Sequence, residues 1–460
     1  MASLLSRTGA CENVKRPVTA IASEEKQETS NGTPSATAPS HAKRLKLMRD
    51  APIGDDFNLP GVAIDSLSHP LTPKYYFENG LRFVKPYYFL YTSWCKRRWI
   101  GRQLLEVLNQ ELHPRSPAQF ERAMELGKLK VNGLNVSPDY QLKDNDFIQH
   151  VVHRHEAAII HTPIEVIEKS DNFLIVNKPC SMPVHSCGRY RHNTVQSLLK
   201  WEMGIEGIKL VHRLDRPTSG VLIFARNVKT SQRMEKHMRQ HKVAKEYLCR
   251  VEGEFPTEEV SCTEAIGPID HKMGLHGVGT VGKGAKPAHT TFQRISCDGS
   301  TSLVKCFPKS GRTHQIRVHL QFLGYPIVND KLYNSLAFGP NKGKNGNYGK
   351  TQEQLVADLW AEHSSKLYWL NEDNAAIIEQ MSREHTDAET SPELANQSES
   401  RDPNCYECRM KFVEPTPEEM IMYLHCLRYQ GPDFDFSTPL PDWAKDDWTD
   451  PAGKKSSEKS

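Results

Sequence analysis

Apolar residues in this chain cluster in short runs bounded by turn formers. Phe173–Val176, Val221–Ala225, Tyr247–Val251 and Ser302–Phe307 span between four and six residues each. Runs this short predict strands, and their brevity rules out long amphipathic stripes. Two segments show helical spacing. Asn227–Gln240 is predicted as a helix capped by Asn227, with Met234 and Met238 four residues apart on its inward face. Thr313–Leu323 is predicted as a second, with Ile316, Leu320 and Leu323 as its apolar stripe. Helices and strands do not alternate regularly, so residues 160–335 read as an α+β domain built on antiparallel strands, not a doubly wound parallel fold.

A smaller α/β module is predicted over 80–153. Ser116-Pro117 opens a helix with Phe120 and Met124 inward, and Gly127 ends it. Lys128–Asn132 alternates basic and apolar residues before the hairpin-type pair Asn132-Gly133, and Leu142–Phe147 reads as a further strand. Within the module, Trp94-Cys95-Lys96-Arg97-Arg98-Trp99 interleaves aromatic and basic residues, a pattern suited to stacking on bases and pairing with phosphates. Residues 1–55, rich in Ser, Thr, Ala, Glu and Lys, are predicted to be a disordered tail, as is 449–460. Residues 336–404 pass from Gly-Asn-Lys repeats to an acidic Ser/Glu-rich stretch from about 382, and read as a partly disordered insertion.

Charge and cysteine usage narrow the class. The formal net charge is only +3, yet residues 209–250 hold eleven Lys or Arg against three Asp or Glu. That density gives one face the positive potential a polyanion requires, although a solvated helix face has the same composition. The eleven cysteines are scattered without the spacing of a disulfide scaffold and are expected as reduced thiols. No apolar run approaches the roughly 18 residues of a membrane span. Ala42-Lys43-Arg44-Leu45-Lys46-Leu47 is a short basic cluster of nuclear-import type, and Glu12 between Arg7 and Lys15 makes a poor mitochondrial presequence. The expected residence is nucleus or cytoplasm.

The segment richest in chemistry is Val211-His212-Arg213-Leu214-Asp215-Arg216-Pro217-Thr218-Ser219-Gly220. It sets one carboxylate between two guanidinium groups, whose positive charge favours the ionised form. A Pro/Gly turn then leads into the buried strand at Val221. Such a turn can aim Asp215 rigidly into a cleft, and a structural loop aspartate would carry the same residues.

His-Arg-Leu-Asp followed by Thr-Ser-Gly resembles the catalytic motif of the RluA family of RNA pseudouridine synthases. Phe173–Pro179 with Met182-Pro183-Val184-His185 resembles the family's first motif, Lys245-Glu246-Tyr247 its tyrosine motif, and Gly311–His319 its third motif. The tail Cys405–Trp448 resembles a eukaryotic branch, so 405–448 is expected to complete the catalytic domain. The resemblance implies a mostly antiparallel central sheet crossed by the active-site cleft, preceded by an S4-like RNA-binding module. It also implies isomerisation of uridine to pseudouridine in RNA, with tRNA the first-choice substrate and mRNA or rRNA next.

That reaction breaks C1′–N1 and joins C5 to C1′ without redox change or net hydrolysis, so no cofactor and no metal is expected, and the protein is expected to act as a monomer. The resemblance implies Asp215, Tyr247 and Arg317 as catalytic residues: a carboxylate for the electron-poor sugar carbon, a ring against the base, and the basic partner of the aspartate. Arg213, His212, Ile316, Arg312 and Lys178 form the implied substrate- and RNA-binding set, with Arg213 filling the space left by a flipped nucleotide. The competing class is a catalytically silent RNA-binding protein acting as chaperone or assembly factor. A glycosidase would need a second carboxylate across the cleft, which the motifs do not offer.

Two further patterns carry weaker signals. Cys405-Tyr406-Glu407-Cys408 has the spacing of a zinc half-site that His425 and Cys426 could complete, with reduced structural thiols as the expected state. Gly274–Gly284 lacks the Lys-Ser/Thr ending of a phosphate-binding loop and reads as a mobile loop near the cleft.

Overall fold

The computed structural model describes residues 63–66, 69–111, 117–279, 281, 284–366, 401–402, 404–409, 414–446 and 448. The predicted tails, the Ala42–Leu47 cluster and the acidic stretch from 382 to 400 lie outside them. Among the described residues, no helix is long and apolar enough to cross a membrane.

The N-terminal part runs through β1 (Ile64–Asp65), β2 (Tyr75–Glu78), β3 (Leu81–Val84) and β4 (Tyr87–Trp94) to helices α1 (Leu104–Glu111) and α2 (Pro117–Glu125). It continues with β5 (Leu129–Val131), β6 (Phe147–Arg154) and β7 (Ile159–Ile160). One sheet has the order β1-β4-β6-β5, and β2-β3-β7 form a separate one. Leu104, Val107 and Leu108 of α1 share a core with Phe120 and Met124 of α2 and with Leu129, Val131 and Ile148 of the sheet. The periodic pattern had not marked α1.

Two expectations are corrected here. The strand read at Leu142–Phe147 begins only at Phe147. Asp146 accepts hydrogen bonds from the Lys143 N–H and the Tyr140 hydroxyl, and Asn145 takes φ +66°, so the preceding residues turn instead. Trp99, read as a base-stacking residue, is 1 % exposed within the core, with the Lys96 ammonium 4.5 Å from its ring centroid. An apolar ring beside basic residues was satisfied by burial.

The larger part starts with β8 (Glu165–Lys169), β9 (Phe173–Lys178), α3 (Val195–Trp201), β10 (Lys209–Leu210) and β11 (Ser219–Ala225). Helix α4 (Val228–Arg239) and β12 (Ala244–Glu252) follow, then β13 (Val260–Cys262), β14 (Ile266–Asp270), β15 (Leu275–Val278), β16 (Thr290–Cys297) and β17 (Thr301–Pro308). Helices α5 (Gln315–Leu323), α6 (Gln352–Lys366) and α7 (Tyr406–Arg409) precede β18 (Leu424–Gly431) and β19 (Phe434–Ser437). The ten-stranded sheet has the order β13-β16-β17-β12-β18-β11-β9-β8, with β10 beside β11 and β19 beside β18. Every pairing in it is antiparallel except β11 with β18.

Both faces of the sheet's centre are covered, which explains the unbroken apolar runs. Phe173, Ile175, Val221 and Ile223 enter one core with Met234 of α4. Their neighbours Leu174, Val176, Leu222 and Phe224 enter another with Leu198 and Leu199 of α3. The Asn227 side chain caps α4 by accepting from the Thr230 N–H.

Gly274–Gly284 departs from its reading as a mobile loop: Leu275–Val278 is strand β15, paired with β14. The first part of the predicted insertion also belongs to the folded body. Leu355 and Leu359 of α6 pack with Val318 of α5 and with Tyr333.

Candidate active site

A cleft of about 480 Å³ opens between the loop before β11 and the start of α5. Its size lies within the roughly 300–1,000 Å³ range of small-molecule sites. Asp215, Tyr247, Arg317, Arg213, His212, Ile316 and Arg312 all line it; Lys178 does not.

The Thr218 N–H bonds the Asp215 carbonyl at 3.1 Å, closing the turn around Pro217 and fixing Asp215 just before β11. The strand that follows is held close to β18. Gly220 has φ +108°, and a Cβ there would lie 2.1 Å from the Cys426 carbonyl oxygen. Only glycine fits this approach.

The Asp215 side chain is 21 % exposed, and its described ion-pair partners are Arg317 and His314, not the flanking arginines. Arg213 and Arg216 are exposed, and the Arg216 guanidinium turns toward the Tyr190 ring at 5.9 Å. Arg317 Nη1 lies 3.4 Å from Asp215 Oδ2. Its Nε and Nη2 donate to Asp330 at 2.6 and 2.8 Å, a bidentate fork that leaves the third nitrogen aimed at Asp215. Burial opposes the charge on Arg317, but the Asp330 carboxylate outweighs it and raises the arginine's pKa. Burial alone would raise the Asp330 pKa. Arg317 and the backbone N–H groups of Leu332 and Tyr333 hold it below the usual carboxylate value.

Sequence reasoning missed Asp330. The signal available was indirect: an arginine beside the apolar stripe of a helix requires a counter-charge once it is buried, and Asp330 lies two residues after the apolar Pro326-Ile327-Val328.

His314 caps α5 in the left-handed conformation at φ +56°. Its Nδ1 lies 2.9 Å from the Tyr333 hydroxyl, which in turn accepts from the His276 N–H at 3.0 Å. A hydroxyl that donates to Nδ1 leaves the ring proton on Nε2, which lies 3.7 Å from Asp215 Oδ2. Burial, reinforced by Arg317, draws the His314 pKa down to about 4, so the ring is neutral at physiological pH.

His212 stacks on Tyr429 with ring centroids 4.4 Å apart, and its Nε2 accepts from the Ile223 N–H. It ties the Asp215 loop to β11. Burial, with Lys245 nearby, lowers its pKa to about 3. The Tyr247 ring reaches the cleft from β12, its hydroxyl 3.2 Å from that of Tyr429, and burial raises its pKa well above the usual phenol. Ile316 is buried beside it, whereas Arg312 is exposed, its Nε donating to the Pro287 carbonyl.

Lys178, grouped by resemblance with the RNA-contacting residues, is fully buried. Its ammonium donates to the carbonyls of Pro179, Met182 and Arg216, and burial lowers its pKa to about 7. Three acceptors match its three N–H groups, so it clamps the loop beneath Asp215 and does not meet RNA. His425 and Cys426, grouped with the Cys405-Cys408 pair, are likewise elsewhere. His425 bridges Ser219 and Thr438, and Cys426 is buried on β18 beside Tyr247.

Residues 172–322 match the family model described as RNA pseudouridylate synthase. The human protein named Pseudouridylate synthase RPUSD2 is 41 % identical over 458 residues, covering 90 % of this chain and 83 % of its own length. The chain belongs to the RluA-type RNA pseudouridine synthases. Within that family, the Saccharomyces cerevisiae proteins named tRNA pseudouridine(32) synthase, mitochondrial, and tRNA pseudouridine(31) synthase are 33 % and 29 % identical. The alignments cover 81 % and 80 % of this chain, and 79 % and 97 % of those proteins. As a pseudouridine synthase it isomerises uridine in RNA.

Proposed function

We propose that this synthase acts on tRNA first and on mRNA or rRNA next, with Asp215 as its catalytic carboxylate. The observation that carries the reading is the Asp215 carboxylate in the cleft, 3.4 Å from a guanidinium that Asp330 holds in place. A carboxylate so held can attack C1′ or stabilise its positive charge as the C1′–N1 bond breaks. The uracil then turns, C5 joins C1′ and loses its proton, and N1 gains one. Atoms and electrons balance within substrate and solvent, so the proposed reaction uses no cofactor.

Tyr247 and Ile316 form the wall against which the base packs, and His314 and His212 orient the loop and the carboxylate. Arg213 and Arg312, exposed at the cleft, meet the RNA, with Arg213 filling the space of the flipped nucleotide. Helices α1 and α2, packed on the N-terminal sheet, are read as the S4-like module that positions the RNA. The tRNA preference draws on the names of the two yeast relatives. The protein is read as a monomer of the nucleus or cytoplasm.

The test maps pseudouridine by chemical derivatisation and sequencing in cells lacking the protein, restored with wild type, or restored with Asp215→Ala. Sites that return only with wild type, concentrated in tRNA, are expected. Equal rescue by Asp215→Ala would replace catalysis by RNA binding alone, and sites confined to mRNA or rRNA would overturn the tRNA assignment.

A further inference from the structure

Four side chains outside the cleft converge at one point: His153, His155, Cys405 and Cys408, whose potential ligand atoms all lie within 4.8 Å of one another. Local structure accounts for each pair. His153 is on β6 and His155 just beyond its end, two residues apart and so on one face of the extended chain. Cys405 precedes the short helix α7 and Cys408 lies within it. The Cys408 N–H bonds the Cys405 carbonyl at 3.1 Å, a turn that brings both sulfurs to one side.

The distances fit a metal. His153 Nδ1 and His155 Nε2 are 3.3 Å apart. Cys408 Sγ lies 3.3 and 3.4 Å from these nitrogens, and Cys405 Sγ lies 3.6 Å from His155 Nε2. A tetrahedron with zinc–nitrogen bonds of about 2.05 Å and zinc–sulfur bonds of about 2.3 Å has edges of about 3.4 Å between nitrogens and about 3.5 Å between nitrogen and sulfur. Two thiolates also neutralise a divalent ion, which suits a site where His153 and Cys405 are buried.

The surroundings support the ligands. The Asp402 N–H donates to Cys408 Sγ at 3.4 Å, and the Asp402 carboxylate pairs with Lys128 at 2.9 Å. Arg189 donates to the His155 carbonyl and pairs with Glu407 between the two cysteines. Such outer contacts fix ligand orientation in metal sites.

We propose that His153, His155, Cys405 and Cys408 form a structural zinc site that fastens the segment beyond residue 400 to the N-terminal sheet. Four protein ligands close the coordination sphere, so the ion has no open position for chemistry, and none of the four lines the Asp215 cleft. The site joins residues some 250 positions apart in sequence, across the acidic stretch.

The test is metal analysis of the full-length protein purified without chelator, with cobalt exchange as a second readout. About one zinc per chain is expected, together with the visible bands of tetrahedral, thiolate-ligated cobalt after exchange. Cys405→Ser/Cys408→Ser should lose the metal and unfold at lower temperature. His153→Cys, which keeps four ligands, should retain zinc and gain a stronger sulfur-to-cobalt charge-transfer band. Wild-type protein that carries no zinc and shows no tetrahedral cobalt spectrum would overturn the proposal, as would an intact Cys405–Cys408 disulfide or a double serine variant with wild-type zinc content. The wild-type cobalt spectrum decides the question even if the serine variant fails to fold.

Discussion

Asp330→Asn tests whether Arg317 is positioned by Asp330, and its cost follows from the contacts. The carboxylate accepts from Arg317 Nε and Nη2 at 2.6 and 2.8 Å and from the N–H groups of Leu332 and Tyr333 at 3.1 and 3.0 Å. An amide keeps one acceptor oxygen and turns an N–H group toward a guanidinium that can only donate. Breaking a buried ion pair costs about 3–5 kcal/mol, because one charge stays behind. Asp215 remains as a second, partly exposed counter-charge, which places the cost near the lower end, about 3 kcal/mol. At roughly 2 °C per kcal/mol for a large domain, Tm should fall by about 6 °C. Arg317, released on one side, is drawn toward Asp215, and a shift on the order of 1 Å at a reacting group lowers turnover about a hundredfold. The assays are calorimetric melting and single-turnover release of tritium from RNA labelled at uridine C5, since C5 loses its hydrogen as it joins C1′. RNA affinity, set largely by phosphate contacts, should hold. A variant with both wild-type Tm and wild-type turnover would refute the reasoning.

Two further outcomes are expected. His314 and His425 are each drawn from 6.5 down to about 4 by burial, so the unfolded chain binds more protons between these values and stability is lost as pH falls from 6.5 towards 4. The shift corresponds to about 3 kcal/mol per ring; the fall in Tm over this window should be shallower in His425→Gln, and equal slopes would reject the assignment. Gly220→Ala should give little soluble protein, because its Cβ would meet the Cys426 backbone at 2.1 Å and its φ is +108°; a wild-type melting curve would show that β11 and β18 can separate freely.

What could be read in advance was whatever neighbouring residues decide. Val221–Ala225 is unbroken because both faces of its sheet are buried, and Asn227 caps its helix through a bond to Thr230, three residues on. What could not be read depends on partners far away in sequence. Asp330 is fixed by Arg317, Trp99 is claimed by a core that includes a helix the pattern did not mark, and Cys405-Cys408 faces histidines near residue 154, not the nearer His425. Lys178 shows the limit of a motif: a basic residue in a motif can serve the backbone instead of the substrate.

Strand β18 lies between β12 and β11, so a central strand of the catalytic sheet leaves the ribosome after every other described strand of that sheet except β19. Until residue 431 has emerged, β11 and β12 each present an unpaired edge, the kind of surface that invites association between nascent chains. The long segment ahead of β18 adds little equilibrium penalty, because loop-closure entropy grows only with the logarithm of length, but the delay grows with every residue synthesised. A frameshift or stop between α5 and this strand therefore leaves β11 and β12 without the strand that joins them, even though Asp215, Tyr247 and Arg317 have all been made.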